Sequence, residues 1–272
     1  MRNNWIEDIN RISREAGKAI LTVYQKADME ISTKADESPL TEADLLSHQT
    51  ILSGLKKLTP DIPVLSEESA GISFEERRHW NEYWLVDPLD GTKEFIARNG
   101  EFTVNIALIR EGRPVQGVVY VPVMDRLYSG FSEDGQYQAY REEQGKRTQI
   151  AVRHVEGPFT VVASRRHGSE EQVRLMSRLQ GYFRDLTTTS MGSSLKLCLV
   201  AEGKADFYPR LAPTSEWDTA AAQAVVEAAG GKVVSQELLP LRYNSKESLL
   251  NPFFYVLGDP DYDWASLLSG VK

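Results

Sequence analysis

The chain has one cysteine in 272 residues, Cys198, so no disulfide can form within it and a reducing compartment suits it. Cys198 sits in the apolar run Leu195 to Val200, where a free thiol reads as a small buried hydrophobe rather than a nucleophile. No run approaches the roughly 20 apolar residues of a membrane helix. The first residues, Met1-Arg2-Asn3-Asn4-Trp5, lack the apolar core of a signal peptide. Positive charge is also short: 31 Lys and Arg face 39 Asp and Glu, a net charge of −8. Such a chain builds no broad positive field for a nucleic-acid polymer or anionic lipid. A polyanionic substrate must therefore be met by local cations or by metal ions. Repeats and low-complexity tracts are missing as well. These absences predict a cytoplasmic enzyme without a transmembrane segment. The composition, 41% hydrophobic and 26% charged, is that of a folded protein. The length suits one large domain or two tightly packed halves.

Apolar periodicity marks the elements. Trp5, Ile9, Ile12, Ala16, Ile20 and Val23 recur every three or four residues and predict a first helix. The polar stretch Lys34 to Pro39 reads as a loop. A second helix follows, with Thr41 and Asp44 fitting a capping box and Leu45, Ile51, Leu52 and Leu55 forming its apolar face. Strands are predicted at Pro63 to Leu65 and Tyr83 to Val86. Thr103 to Ile109 and Val115 to Val121 form a hairpin, and Met124 to Gly130 adds a third antiparallel strand. From about residue 155 strands and helices alternate. Phe159 to Ala163, Phe183 to Thr187, Ala205 to Tyr208, Lys232 to Ser235 and Phe253 to Leu257 read as strands. Glu170 to Leu179, Gly192 to Glu202 and the Ala-rich Trp217 to Ala229 read as helices, the last stopped by Gly230-Gly231. The texture predicts an N-terminal α+β half, residues 1–150, and a C-terminal α/β half, residues 151–272. Their boundary falls in the charged, Gly- and Pro-bearing stretch 141–158.

Acidic residues stand where folding does not need them. Glu67 and Glu68 follow the short strand Val64-Leu65. Paired glutamates usually coat surfaces, but a strand end is where sites are built. Asp87 and Asp90 lie in Asp87-Pro88-Leu89-Asp90-Gly91-Thr92, directly after Tyr83 to Val86. Proline and glycine shape a turn that can point both carboxylates, and the Leu89 carbonyl between them, into one volume. Hard cations such as Mg²⁺ take oxygen ligands of this kind. Mutual repulsion makes the cluster costly unless a cation sits in it. Asp218, at the start of the Ala-rich helix, has two readings, helix cap and metal ligand. Asp44 has the same ambiguity between capping box and catalysis.

These residues carry a resemblance. Trp84 to Thr92 (WLVDPLDGT) resembles the first signature of the inositol monophosphatase superfamily. Trp217 to Ala221 (WDTAA) resembles the second, and Ser66 to Ser69 (SEES) the glutamate motif before the first. Order and spacing match, and the likeness spans nearly the whole chain. Lys93-Glu94-Phe95 stands where inositol phosphatases have Thr-Asn-Phe. With Lys34 to Asp44 (KADESPLTEAD), Gly192 to Lys196 (GSSLK) and Tyr208-Pro209-Arg210, it is similar to the 3'(2'),5'-bisphosphate nucleotidase branch, above all its bacterial type. The resemblance implies an α/β fold layered as an αβαβα sandwich of the sugar-phosphatase type. It implies hydrolysis of adenosine 3',5'-bisphosphate to AMP and phosphate, with 3'-phosphoadenylyl sulfate as a further substrate, in sulfate assimilation. It also implies two or three Mg²⁺ ions and lithium sensitivity, and it allows attachment to the inner face of the membrane, for which no anchor is visible. Nothing in the sequence marks an oligomer contact.

The same resemblance assigns roles. Glu67, Asp87, the Leu89 carbonyl, Asp90 and Asp218 match metal ligands. Asp44 and Thr92 match the pair that handles the attacking water, and Glu67 counts with them as catalytic. Gly91, Thr92, Gly192, Ser193, Ser194, Lys196, Arg210 and Asp218 fall where the family meets the nucleotide and its remaining phosphate. His167 lies in Ser164-Arg165-Arg166-His167, where a Ser-Arg-Ser-His pattern is common, so Arg166 is a departure. A helix from Gly192 would offer free N–H groups to a phosphate; plain N-capping by Ser193 and Ser194 is the competing reading. A haloacid-dehalogenase-type phosphatase needs its two aspartates two apart, whereas Asp87 and Asp90 are three apart. An inositol phosphate or another sugar phosphate is the alternative substrate. A non-catalytic nucleotide-binding regulator would not need the full acidic set.

Overall fold

The computed structural model describes residues 4–26, 31–33, 39–133, 135–163 and 170–269. Helix α1 (Ile6–Tyr24) buries Ile9, Ile12, Ala16, Ile20 and Val23 along one stripe, as their spacing dictates. Strands β1 (Ile31–Thr33) and β2 (Pro39–Thr41) pair antiparallel and lead into α2 (Glu42–Leu58). Strand β3 (Val64–Ser66) follows, then α3 (Phe74–Arg77), β4 (Glu82–Asp90) and the short α4 (Thr92–Ile96). A meander completes the first sheet: β5 (Thr103–Arg110), β6 (Arg113–Val121), β7 (Arg126–Glu133), β8 (Gln136–Glu143) and β9 (Lys146–Gln149). The seven strands lie in chain order from β3 to β9, antiparallel except for the parallel pair β3–β4.

The second sheet is built from β10 (Phe159–Val162), β11 (Leu186–Thr189), β12 (Phe207–Arg210), β13 (Lys232–Ser235) and β14 (Phe254–Leu257). Its order is β11-β10-β12-β14-β13, parallel across the first three strands and antiparallel thereafter. Helices α5 (Glu170–Tyr182), α6 (Leu195–Ala201), α7 (Glu216–Ala228) and α8 (Trp264–Leu268) interleave with these strands.

Side-chain alternation turns these elements into five layers. Trp84, Val86, Ile106, Leu108 and Val118 share one core with α1 and α2. Leu85, Ala107, Ile109 and Val119 point the other way and meet α6 and α7. The second sheet covers those helices with Val162, Val233 and Val256. Its far face packs Phe159, Val161, Phe207 and Tyr255 against Leu175 and Leu179 of α5 and Trp264 of α8. The order is αβαβα, as the resemblance implied. No described helix is long and apolar enough to cross a membrane.

Helix α7 lies unusually close to the first sheet. Gly117 on β6 and Gly130 on β7 are cross-strand partners. A Cβ at Gly117 would collide with the Ala221 carbonyl, and one at Gly130 with the Val225 backbone. Two missing side chains and the small residues of α7 thus let this helix bring its N-terminus, and Asp218, to the end of β4. The charged stretch from Arg141 lies in the β8–β9 hairpin, which no strand expectation covered and which turns at Gln144 and Gly145, both with positive φ. Two sequence expectations need correction. The strand expected at Phe183 to Thr187 runs instead from Leu186 to Thr189. The helix expected from Gly192 starts at Leu195.

Candidate active site

Strand β4 is buried from Tyr83 to Leu89 and delivers two aspartates at its C-terminal end. Asp87 Oδ1 accepts from the Leu89 N–H (3.0 Å), so the chain folds back over Pro88, and the register against β5 shifts between Asp87 and Asp90. Gly91 turns the chain at φ 93°, and Thr92 opens α4. Because β3 runs parallel to β4, with Ser66 opposite Val86, Glu67 emerges beside Asp87. Glu68 is half-buried and acts electrostatically on His48. Asp218 arrives from the second half on α7. One carboxylate oxygen from each of Asp87, Asp90 and Asp218 lies within 4.8 Å of the others.

That proximity is electrostatically unfavourable as it stands. Burial, then repulsion by Glu67, Asp90 and Asp218, pushes the Asp87 carboxyl well above the usual carboxylate range. Burial, followed by Asp90, pushes Asp218 up to about 8. The group needs either protons or a cation. An all-oxygen donor set of several carboxylates in one volume suits a hard divalent cation. The donor chemistry therefore fits a metal, and Asp87, Asp90 and Asp218 are brought close enough together that they could hold one, with Glu67 adjoining.

The two ambiguous aspartates turn out to occupy equivalent places. Asp44 closes a capping box with Thr41, its Oδ2 accepting from the Thr41 N–H (2.8 Å) and hydroxyl (2.6 Å). Its Oδ1 faces the Thr92 hydroxyl at 3.5 Å. Asp218 closes a capping box with Ser215, its Oδ2 accepting from the Ser215 N–H (2.8 Å). Each caps its helix at the third position and still presents a carboxylate to the site. The cap and the second role are compatible, since one oxygen serves each.

The substrate side differs from expectation in its detail. Gly192 N–H donates to Glu101 Oε2 (2.7 Å) and Ser194 N–H to Asp90 Oδ2 (2.7 Å), so neither is left for a phosphate. Helix α6 is only seven residues long, and Ser194 makes no side-chain cap. Ser193 adopts φ 49° and donates its hydroxyl toward the carbonyls of Asp90 (2.9 Å) and Glu101 (2.8 Å). Glu101 was missed by sequence reasoning: it lies in a polar loop with no motif, and only the fold brings it to residue 192.

A cavity of about 390 Å³ opens beside the carboxylates. Asp90, Gly91, Gly192, Ser193, Lys196, Arg210 and Asp218 all line it. Lys196 is half-buried, and desolvation lowers its pKa; its Nζ donates to the Met191 carbonyl (3.2 Å). Arg210 donates to the Pro213 carbonyl (3.1 Å), and its buried Nε has no hydrogen-bond partner. The volume is within the usual range for small-molecule sites. Leu89 is buried behind the turn rather than in the cavity wall. Cys198 is buried and its thiol pushed well up in pKa by that burial, which does not suit a nucleophile. His167 and Ser164 lie outside the described residues.

Comparison with known proteins gives a consistent result. The profile of the inositol monophosphatase family matches residues 2–252. A 3'(2'),5'-bisphosphate nucleotidase CysQ of Escherichia coli O157:H7 is 52% identical over 252 residues, 92% of this chain and 98% of that protein. A CysQ of Haemophilus influenzae is 38% identical over 98% of this chain and 97% of its own length. The crystal structure of CysQ from Bacteroides thetaiotaomicron aligns with a TM-score of 0.82 and 41% identity, covering 93% of this chain and 96% of that one.

Proposed function

Because the chain belongs to the inositol monophosphatase family, we propose that it is a Mg²⁺-dependent phosphatase that removes the 3'-phosphate of adenosine 3',5'-bisphosphate, giving AMP and phosphate. The same reaction on 3'-phosphoadenylyl sulfate is included. The observation that carries the reading is one cavity lined both by the carboxylates of Asp90 and Asp218 and by the cations Lys196 and Arg210. A substrate with two phosphates matches both sets of groups, one phosphate for reaction and one for retention. The relatives named CysQ bisphosphate nucleotidases, similar over nearly their whole length, support the nucleotide.

Glu67, Asp87, Asp90 and Asp218, with the Leu89 carbonyl, would hold two or three Mg²⁺ ions. Bound there, they supply a more acidic water and offset charge on the phosphate and its leaving oxygen. The protein's own groups do the positioning. Thr92 orients the attacking water, and Asp44 Oδ1 holds the Thr92 hydroxyl from behind. Because Asp44 Oδ2 is fixed by its cap, this pair is rigid before substrate arrives. Lys196 and Arg210 grip the retained phosphate, the guanidinium offering a bidentate fork. Water attacks phosphorus in line, the 3'-oxygen leaves, and no covalent enzyme intermediate forms. One buried cysteine suits the cytoplasm as the place of action.

Phosphate release from adenosine bisphosphate, inositol monophosphate and fructose bisphosphate, each with and without Mg²⁺, tests the proposal. Mg²⁺-dependent release that strongly favours the nucleotide is expected. In the same assay Lys196→Ala should raise KM for the bisphosphate about 10- to 100-fold, the worth of a charged hydrogen bond. It should harm hydrolysis of a simple monophosphate far less. Equal loss on both substrates would remove Lys196 from the retained phosphate.

A further inference from the structure

Asp90 is fixed by a residue from the other half of the molecule. Its Oδ2 accepts from both the N–H and the hydroxyl of Ser194, each at 2.7 Å. Longer approaches come from the Thr103 hydroxyl and the Asn105 amide, both at 3.5 Å. Asn105 also donates its amide to Ser194 Oγ (2.8 Å), so that oxygen is held as an acceptor and its proton must point elsewhere. Two acceptors lie in reach of that single proton: Asp90 Oδ2 and the Asp218 carbonyl, at 2.7 Å. Ser194 is buried, so water does not compete.

We infer that Ser194 is a positioning residue for the metal centre. Its N–H and its hydroxyl, whose one proton Asp90 Oδ2 shares with the Asp218 carbonyl, occupy that carboxylate oxygen and leave Oδ1 as the oxygen offered to a cation. Its link to the Asp218 carbonyl ties the end of β4 to the first turn of α7, so the two halves hold their carboxylates at one separation. The surrounding packing gives the contact little play. A Cβ at Gly91 would strike the Ser193 hydroxyl, and one at Gly192 would sit 2.7 Å from the Glu101 carbonyl. Ser193 is already held in a left-handed conformation. A hydroxyl at residue 194 thereby performs the task that outer hydrogen-bond partners perform for metal-bound carboxylates elsewhere, with the difference that it spans two halves of the chain.

The inference rests on the metal-centre reading proposed above, and the test separates the two. Mg²⁺ affinity is measured by calorimetry on the full chain, together with the rise in Tm that Mg²⁺ produces over chelator. Ser194→Ala keeps the backbone N–H and should weaken Mg²⁺ about 10- to 100-fold, the usual cost of losing an outer partner. Its rate should recover as Mg²⁺ is raised, while KM for the nucleotide at saturating Mg²⁺ stays near wild type. Ser194→Thr restores the hydroxyl and should restore affinity. If Ser194→Ala does not fold, Ser194→Cys keeps the volume with a weaker donor and should still bind Mg²⁺ less tightly. Wild-type affinity in a folded alanine or cysteine variant overturns the positioning role and leaves the proposed function standing. Absence of Mg²⁺ binding by the wild-type chain overturns both.

Discussion

Among the described residues two groups of side chains have the donor atoms of a metal site, and they differ in kind. Asp87, Asp90 and Asp218 form one; His154, Asp259 and Asp261 form the other. In the first, one buried and two half-buried carboxylates face one another, and Asp218 is pushed up to about 8 by desolvation and then by Asp90. In the second, burial works to raise the Asp259 pKa, but N–H donors from Val155 (2.8 Å) and Asp261 (3.0 Å), with the His154 ring at 3.2 Å, outweigh it. The net shift of Asp259 is downward. A carboxylate whose neighbours are donors is already satisfied and serves as a clamp between loops. A carboxylate whose neighbours are other carboxylates lacks a counter-charge, and that lack is the physical signature of a cation site.

The largest effect should come from Asp218→Asn. Asparagine keeps an oxygen for the Ser215 cap and removes the charge. If Asp218 were only a cap, Tm and activity would change little. As a ligand, its loss should lower kcat/KM about 10³-fold, since metal stabilisation of developing charge is worth several kcal/mol. The Mg²⁺-induced rise in Tm should shrink with it. Retained activity together with a full Mg²⁺ response would erase the distinction between the two clusters.

Asp259→Asn probes the other side of the comparison and should act on stability alone. It leaves buried N–H donors with a poorer acceptor, a loss of about 1–3 kcal/mol. For a chain of this size that is a fall of roughly 2–12 °C in Tm. Phosphate release and the Mg²⁺ response should be those of the wild type. A lowered Mg²⁺ affinity in this variant would make the second cluster a metal site as well.

The difference between the clusters was legible in the sequence on one side only. Asp87-Pro88-Leu89-Asp90-Gly91-Thr92 carries its turn chemistry locally, and apolar patterning marks α1, β5 and β6 as elements, whereas their layering was implied by the family resemblance alone. Whether Asp218 caps or ligates was not legible, because Ser215-x-x-Asp218 and Thr41-x-x-Asp44 look alike as strings. Only the approach of α7 to Gly117 and Gly130 brings the Asp218 carboxylate beside Asp87 and Asp90. The start of α6 was misread for a related reason. Carboxylates of Glu101 and Asp90, some 90 and 104 residues away, take the N–H groups of Gly192 and Ser194 and hold that stretch as a turn. The β8–β9 hairpin was not read as strands because an exposed edge carries charges, such as Glu142 and Arg147, in place of apolar alternation.

The effect that compares the clusters in a single titration is on stability against pH. Asp218 has a folded pKa near 8 against an ordinary value of 3.8. Between those limits the metal-free folded chain holds a proton there that the unfolded chain has lost. Stability in chelator should therefore fall as pH rises from about 4 toward 8. A cation supplies the charge that the proton supplied, so the Mg²⁺-induced rise in Tm should grow over the same range. Asp259 has the opposite sign. Its contribution is present above its ordinary pKa and is lost only as pH falls below about 4. Tm curves of wild type, Asp218→Asn and Asp259→Asn, with Mg²⁺ and with chelator, resolve the two windows. The neutral-range slope should flatten in Asp218→Asn, and the acid-side loss should flatten in Asp259→Asn. A chelator curve that instead rises between pH 5 and 8 in the wild type, and is unchanged by Asp218→Asn, would mean that the buried carboxylates already possess a counter-charge from the protein, and the case for a cation between the two halves would lose its physical basis.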